Sequence, residues 1–263
     1  MTKTVNVLQV LRLFSEQRHQ LRVEEVAAML AVSGATAYRY VGDLERAGFV
    51  ECAAPGQYVL GPAIVELDRQ IRIHDPLIRS ASDILRTLSE RTGGTTILAR
   101  LHGRKVVCVD QVPGRHGPRS VSYERGRAMP LYRGATSTAI LAQLDVDTLR
   151  DIATKDPAEL KRAGLPMAAD ALLEHLRALR DQDVVHTVGA VDVEAMGWAI
   201  AIRHGRQLLG SMSVVLSRDA PNVAPQRVAD QLRRAALQVQ GRLDADRDPS
   251  ASRRLRSDPA ARS

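Results

Sequence analysis

The sequence predicts an α+β chain of two domains, and three observations carry that prediction. Before Gly61, apolar side chains recur at a helical spacing of three to four, in short segments separated by tight turns. From Thr95 the period changes to strands: TTILARL, then KVVCVDQV, then SVSYER. Helical patterns return between and after the later strands, so the strands come in runs, which makes a mostly antiparallel sheet. At 263 residues the chain can bury a core in each domain, and with 3 % aromatics that core is built from Leu, Val, Ile and Ala.

Taken in order, Thr4 to Glu16 reads as an amphipathic helix with Val7, Leu8, Leu11 and Phe14 on one side. Val23, Val26, Ala27 and Leu30 mark a second helix, with Glu24 and Glu25 near its start. Ala31-Val32-Ser33 is too short for anything but a turn, and Ser33 is an N-cap for a third helix. That helix buries Ala37, Tyr40, Val41 and Leu44, presents Gly34, Ala35, Thr36, Tyr38 and Arg39, and stops at Gly48. Phe49–Cys52, a Pro55-Gly56 turn and Gln57–Leu60 then form a two-stranded wing. This is the plan of a winged helix-turn-helix over 1–61, whose second helix offers its N-terminal residues to the major groove of DNA. Small residues there let the backbone approach, Arg39 can reach a phosphate or a guanine edge, and Tyr38 can stack or donate to phosphate. The competing reading is a helical pair that packs on something else.

Gly61-Pro62 opens a linker helix over 62–75 whose stripe is Ile64, Leu67 and Ile71, expected to bury itself against a second copy. Asp75-Pro76 restarts a helix with Leu77, Ser80, Ala81, Ile84, Leu85 and Leu88 on one side, ending at Gly93-Gly94. After the three strands and an irregular 127–133 come helices at Thr136–Leu144, Val146–Thr154 and Ala168–Gln182. Strands at Val184–Val188, Gly197–Arg203 and Leu208–Leu216 and a closing helix at Ala224–Leu243 complete a domain over 76–243. The polar, charged tail, 244–263, reads as disordered.

Two isolated cysteines, Cys52 and Cys108, imply a reduced, cytoplasmic protein without a disulfide framework. No apolar run approaches a membrane span, and the first residues lack a signal-peptide pattern. The net charge of +7 is not where a DNA-binding motif would put it, because the charges before Gly61 cancel. The excess lies at 100–133, where Lys and Arg face only Asp110 and Glu124. That stretch is a solvated rim, an attractor for an anionic ligand, or a second surface for DNA. No nucleophile elbow, phosphate-binding loop, dinucleotide fingerprint or zinc-protease motif occurs, and the seven histidines have no ligand-like spacing. Catalytic residues, metal and cofactor are therefore expected to be none.

The second domain carries features of a small-molecule pocket. Gly197, Ala199 and Ala201 share one face of a strand, and Ser211 and Ser213 share one face of the next. A three-residue loop through His204-Gly205-Arg206 would pair residue 199 with 211 and align the two faces, whereas a two- or four-residue loop would put Trp198 and Ile200 beside the serines. Small residues that merely let a helix pack close would give the same pattern.

The order VEEVAAMLAVSGATAYRYVGDLERAGFVE, followed by YVLG, resembles the IclR (isocitrate-lyase-regulator) family of bacterial transcription factors, and the similarity continues to about Arg242. The resemblance implies a winged helix-turn-helix, a linker helix and a sensor domain related to the GAF fold. It also implies an effector pocket built from Gly134 and Ala135, the strand of Gly197, the serines Ser211 and Ser213, and the acidic loop GAVDVEAMG with Asp192. Ser137-Thr138 stands where the family commonly has Gly-Lys, Ala190 where it often has Glu, and Ala201 where it often has Pro. The expected function is a DNA-binding transcription regulator, a repressor. It would act as a homodimer or dimer of dimers on double-stranded operator DNA and respond to a small carboxylate. The rival classes are an enzyme or ligand-processing domain fused to a DNA-binding module, and an effector-independent DNA-binding protein.

Overall fold

A three-helix group and a three-stranded sheet share one core in the first of two compact units, Met1–Asp75 and Pro76–Ser263, of the computed structural model, which describes residues 3–247. The elements are α1 (Lys3–Leu11), β1 (Leu21–Arg22), α2 (Val23–Leu30), α3 (Gly34–Arg46), β2 (Val50–Ala54), β3 (Gln57–Leu60) and α4 (Ala63–His74). Val26, Ala37, Tyr40, Val41 and Leu44 join the core as the helical spacing predicts, but in α1 the deepest side chain is Val10, with Val7 and Leu11 beside it, while Leu8, expected inward, is exposed. The first helix is shorter than its apolar pattern: Arg12 and Leu13 bond back to Gln9 and Val10 in a tightened last turn, and Ser15 and Arg18 pair across a small bridge. Phe14 still packs on the core from that turn.

The Arg22 amide donates to Glu25 at the start of α2, and Ala31 ends that helix in the left-handed region at φ 52°. Ser33 caps α3 by accepting the Thr36 amide at 3.2 Å. The wing pairs β2 with β3 around Gly56 (φ +72°), and β1, too short to show as a period in the sequence, adds to the β3 edge. Gly61 is required by close approach, since a Cβ there would lie 2.3 Å from the Gly48 carbonyl oxygen. No residue of α4 is buried, and Val65, Leu67, Ile71 and Ile73 are exposed.

The second unit runs α5 (Pro76–Thr92), β4 (Thr95–His102), β5 (Lys105–Val112), β6 (Ala128–Pro130), α6 (Gly134–Leu141), α7 (Val146–Lys155), α8 (Pro157–Arg162), α9 (Ala169–Asp181), β7 (Val184–Val188), β8 (Ala195–His204), β9 (Gln207–Ser217) and α10 (Pro225–Arg247). Its six strands form one sheet in the order β6-β5-β4-β9-β8-β7, with every ladder antiparallel. Helices α5 and α10 cover one face over Leu98, Trp198, Met212 and Val214. The helices α6 to α9 cover the other face, over Ile97, Ala99, Cys108 and Val215.

Two expectations are corrected here, and one helix is added. SVSYER is a loop, because the free edge of β5 is taken by Gly126 and Arg127, whose backbones bond Cys108, and β6 follows from them. The short α8 was hidden by its small apolar content. The closing helix continues through Asp244 to Arg247 where a disordered tail was expected; the rest of that tail, 248–263, lies outside the described residues.

Candidate nucleic-acid interface and ligand cavity

The exposed side of α3 is assembled by its own periodicity. With Ala37, Tyr40, Val41 and Leu44 turned inward, Ser33, Gly34, Ala35, Tyr38 and Arg39 are left facing solvent, and Tyr38 is 69 % exposed. The Thr36 hydroxyl is half-buried and bonds Ser33 Oγ at 2.9 Å, so these two hydroxyls rigidify the helix start. Arg39 lies with its guanidinium 5.6 Å from the Tyr40 ring centroid, which restrains the side chain without consuming its donors. The structure therefore brings all six residues singled out here onto one helix end. A backbone-accessible patch with one guanidinium and one phenol can read a groove edge and grip phosphate.

In the second unit, α6 is a helix buried along its whole length: Ala135, Ala139, Ile140 and Leu141 pack into the apolar core, and its first turn is fixed by a set of buried hydrogen bonds. Ser211 Oγ donates to the Thr136 carbonyl at 2.9 Å, and Thr136 Oγ1 shares a 2.9 Å bond with Ser213 Oγ. Ser137 Oγ donates to the Pro130 carbonyl at 2.7 Å and is itself 2.6 Å from the Tyr123 hydroxyl. The Ala135 amide, one of the first-turn donors with no intrahelical acceptor, donates to Thr187 Oγ1 at 3.2 Å.

A cavity opens at the N-terminus of α6. Gly134, Ala135, Asp192 and Gly197 line it, together with Tyr123, Thr187 and Val191. Its free volume is about 30 Å³, room for a water-sized guest. Val191 crowds the helix start: a Cβ on Gly134 (φ +82°) would lie 2.5 Å from its Cγ2. The loop carrying Val191 is fastened on both sides. Arg133 Nε donates to the Ala190 carbonyl, and both carboxylate oxygens of Asp192 are engaged, by the Ser122 amide at 3.0 Å and by Ser122 Oγ. Next to the cavity lies a wider cleft of about 530 Å³ that shares Gly134, Thr187 and Ala190 with it. Arg133, Arg162, His175 and His186 line this cleft, and among the described residues no carboxylate does.

Ser211 and Ser213 do not line the cavity; they lie beneath α6 and hold it. Their register also differs from the expected one. The β8–β9 turn has two residues, Gly205 and Arg206, which alone would have set Trp198 and Ile200 beside the serines. A bulge at Leu209 reverses the parity, so Ala199 faces Ser213 and Ala201 faces Ser211. Gly210 permits this, because a Cβ there would lie 2.0 Å from the Ala99 carbonyl oxygen of the next strand.

Tyr123, Thr187 and Val191 were not singled out from the sequence. Tyr123 stood within a pattern read as a strand, though its place as a rare aromatic was a usable signal. Burial pushes its phenol up to about 12, so it is a neutral hydrogen-bonding group at ordinary pH. Burial likewise pushes the Cys108 thiol up to about 12, and its Sγ meets the Asp110 carbonyl in the core. Part of the basic 100–133 stretch is structural: Arg104 bridges Asp151, Asp156 and Tyr132, and Arg125 Nε donates to the Val109 carbonyl. Among the described residues no group of three or more His, Cys, Asp or Glu could hold a metal ion, and no helix is long and apolar enough to cross a membrane.

Residues 4–52 match the IclR helix-turn-helix domain, and residues 72–240 match the bacterial transcriptional regulator IclR C-terminal domain. Among regulators of known name, XynR of Escherichia coli is 30 % identical over 139 residues, which are 52 % of this chain and 54 % of XynR, so the match spans about half the length of that relative. KdgR of the same organism is 27 % identical over 69 % of this chain and 68 % of its own, and KipR of Bacillus subtilis is 22 % identical over 91 % and 96 %. An IclR homolog from Microbacterium hydrocarbonoxydans, solved in complex with 4-hydroxybenzoate, superposes with a TM-score of 0.77 at 21 % identity, over 93 % of this chain and 100 % of that one. An IclR regulator from Alicyclobacillus acidocaldarius gives 0.76 at 21 %, over 92 % and 98 %.

Proposed function

Because the chain belongs to the IclR family of bacterial transcription regulators, which are not enzymes, we propose that it binds operator DNA through the exposed end of α3. We propose further that a small organic acid at the N-terminus of α6 controls that binding, with repression as the resting state. Ser33, Gly34, Ala35, Thr36, Tyr38 and Arg39 form the DNA-facing patch, and Gly134, Ala135, Asp192 and Gly197 belong to the effector site together with Tyr123 and Thr187. Ser211 and Ser213 act through Thr136 as positioning residues.

The observation that carries the effector reading is the cavity at a buried helix start, opening beside a cleft whose charged lining is wholly cationic. Backbone N–H groups and the helix dipole favour an anion there. Arg133 supplies further positive potential, whereas burial lowers the pKa of His186 and favours its neutral, hydrogen-bonding form. A benzene-sized guest needs roughly 150 Å³, far more than the ~30 Å³ now free. The effector therefore enters by displacing Val191, and an anion that recruits Arg133 would release the Ala190 carbonyl that holds the loop closed. The neighbour that carries 4-hydroxybenzoate supports an aromatic carboxylate as the class to test first.

Paired half-sites need two copies, and the uncovered apolar side chains of α4 are the candidate contact for a homodimer or a dimer of dimers. The test is a panel of benzoate, 4-hydroxybenzoate, branched aliphatic acids and their amides, read by thermal shift and by anisotropy of a labelled DNA fragment from upstream of the neighbouring genes. Acids should raise Tm and change DNA affinity while the amides do neither. A panel without effect on either readout refutes the effector reading, and DNA binding unaltered in an Arg39→Ala protein refutes the placement on α3.

A further inference from the structure

A second cleft in the sensor domain is built around cations that no carboxylate among the described residues neutralises. It has a volume of about 280 Å³ and lies between the end of α5, the 113–117 loop and the start of α10. Arg91, Arg115, His116 and Arg227 line it, and among the described residues no carboxylate does. Among the described residues, Arg91, Arg115 and Arg227 meet no carboxylate, in contrast to Arg104, Arg233 and Arg242, each of which holds an aspartate. Three like charges around one concavity cost free energy in the empty protein, and a fold under no other constraint would spread or pair them.

The loop that presents two of these groups is clamped by backbone. Gly114 packs so tightly on the chain at Gly94 that a Cβ would lie 2.1 Å from its carbonyl carbon, and one on Gly117 would lie 2.1 Å from Thr95 Oγ1. The His116 amide donates to the Gly93 carbonyl at 2.8 Å and its carbonyl accepts the Ser217 amide at 2.9 Å. Arg115 Nε donates to His116 Nε2 at 3.1 Å, which fixes the guanidinium plane and leaves its terminal N–H groups for a guest. Opposite them, α10 begins without an acidic residue in its first turn, so its free amides add to the positive field.

We propose that this cleft is an anion site for the phosphate group of a small phosphorylated metabolite, separate from the α6 cavity. Guanidinium forks match the oxygens of carboxylate and phosphate alike. A single carboxylate offers two oxygens and one charge, too few for three arginines, whereas a phosphate ester presents three oxygens and close to two charges. The volume lies just below the usual ~300–1,000 Å³ of small-molecule sites and suits a phosphate on a body of a few carbons.

The test is calorimetry on the full chain with glycerol 3-phosphate and inorganic phosphate as probes and glycerol and lactate as controls. Phosphate-bearing probes should bind and the controls should not. Arg91→Gln, Arg115→Gln and Arg227→Gln should each weaken binding about tenfold, and the triple variant should abolish it. The unliganded Tm should not fall in these variants, because the arginines meet no carboxylate and the one bond among them, from exposed Arg115 to His116, is to a chain neighbour. No binding up to about 10 mM probe, or binding that survives in the triple variant, overturns the proposal. So does a triple variant that loses DNA affinity while phosphate probes bind neither protein, since the arginines would then serve the nucleic-acid backbone. The acid panel repeated on the triple variant separates this site from the effector reading: its response should be unchanged.

Discussion

Removing the Thr136 hydroxyl should unseat α6 in a way that a second, compensating change repairs. Ser213 is fully buried, and among the described residues the one hydrogen bond of its hydroxyl is the 2.9 Å contact with Thr136 Oγ1. Thr136→Val keeps the side-chain shape but strands that buried hydroxyl, at a cost of about 1–3 kcal/mol. Ser213→Ala strands Thr136 Oγ1 instead. Its cost falls in the same ~1–3 kcal/mol, because Thr136 lies in the first turn of α6 and has no preceding helical turn to take its hydroxyl. In the double variant both hydroxyls are gone and two apolar groups meet, which should cost only ~0–1 kcal/mol. Ser211→Ala is the control: its acceptor, the Thr136 carbonyl, also serves the helix ladder, so the loss should stay near 0.5–1.5 kcal/mol. Urea unfolding followed through Trp198, the single tryptophan and a member of the same domain's core, measures all four proteins. Double-variant destabilisation equal to the sum of the singles would show that the two hydroxyls are not coupled and refute the account of how α6 is held.

The remaining expectations are as direct. Arg39→Ala should lower operator affinity by about 1–3 kcal/mol with an unchanged far-UV spectrum, and wild-type anisotropy titrations at fixed salt would remove Arg39 from the interface. Ala31 occupies the left-handed region at φ 52°, where an L side chain costs about 1–2 kcal/mol. Glycine recovers most of that but loses about 0.4–1 kcal/mol to the unfolded chain, so Ala31→Gly should be neutral to mildly stabilising in urea; clear destabilisation would mean the methyl packs in the helix-turn-helix corner. Burial raises the Cys108 thiol from 9.0 to about 12, so the native state keeps a proton that the unfolded state gives up first. Its contribution to stability is therefore complete below about pH 9 and lost as the pH climbs towards 12. At pH 8 a thiol reagent should label only the exposed Cys52 in the folded protein, and rapid labelling of both would contradict the buried site.

The DNA-facing unit was legible in the sequence because its determinants are local. The cap at Ser33, the turn Ala31-Val32-Ser33 and the stripe Ala37, Tyr40, Val41, Leu44 all lie within a few residues of one another, and the structure repeats them. The small residues at the start of α6 were equally visible. The roles of Ser211 and Ser213 were not, although both were picked out. Their facing depends on a bulge at Leu209, next to Gly210, which lies against the Ala99 carbonyl more than a hundred residues away in the chain. A loop-length argument has access to the turn but not to that approach, so it obtained the wrong parity for a two-residue turn.

SVSYER shows what alternation does and does not report. Val121 and Tyr123 are buried and Ser120 and Glu124 are exposed, so the in-out pattern is real. A strand also needs an edge to pair with, and the β5 edge is already bonded by Gly126 and Arg127. The segment instead satisfies its groups from across the fold: the Ser122 amide and hydroxyl go to Asp192, and the Tyr123 hydroxyl goes to Ser137 and the Arg133 carbonyl. Those are the contacts that close the loop over the α6 cavity and set a phenol into its wall. The period-two pattern thus recorded burial correctly and pairing incorrectly, and the residues it misassigned are the ones that complete the candidate effector site. Their loop is free to serve the site because it owes no hydrogen bonds to a ladder.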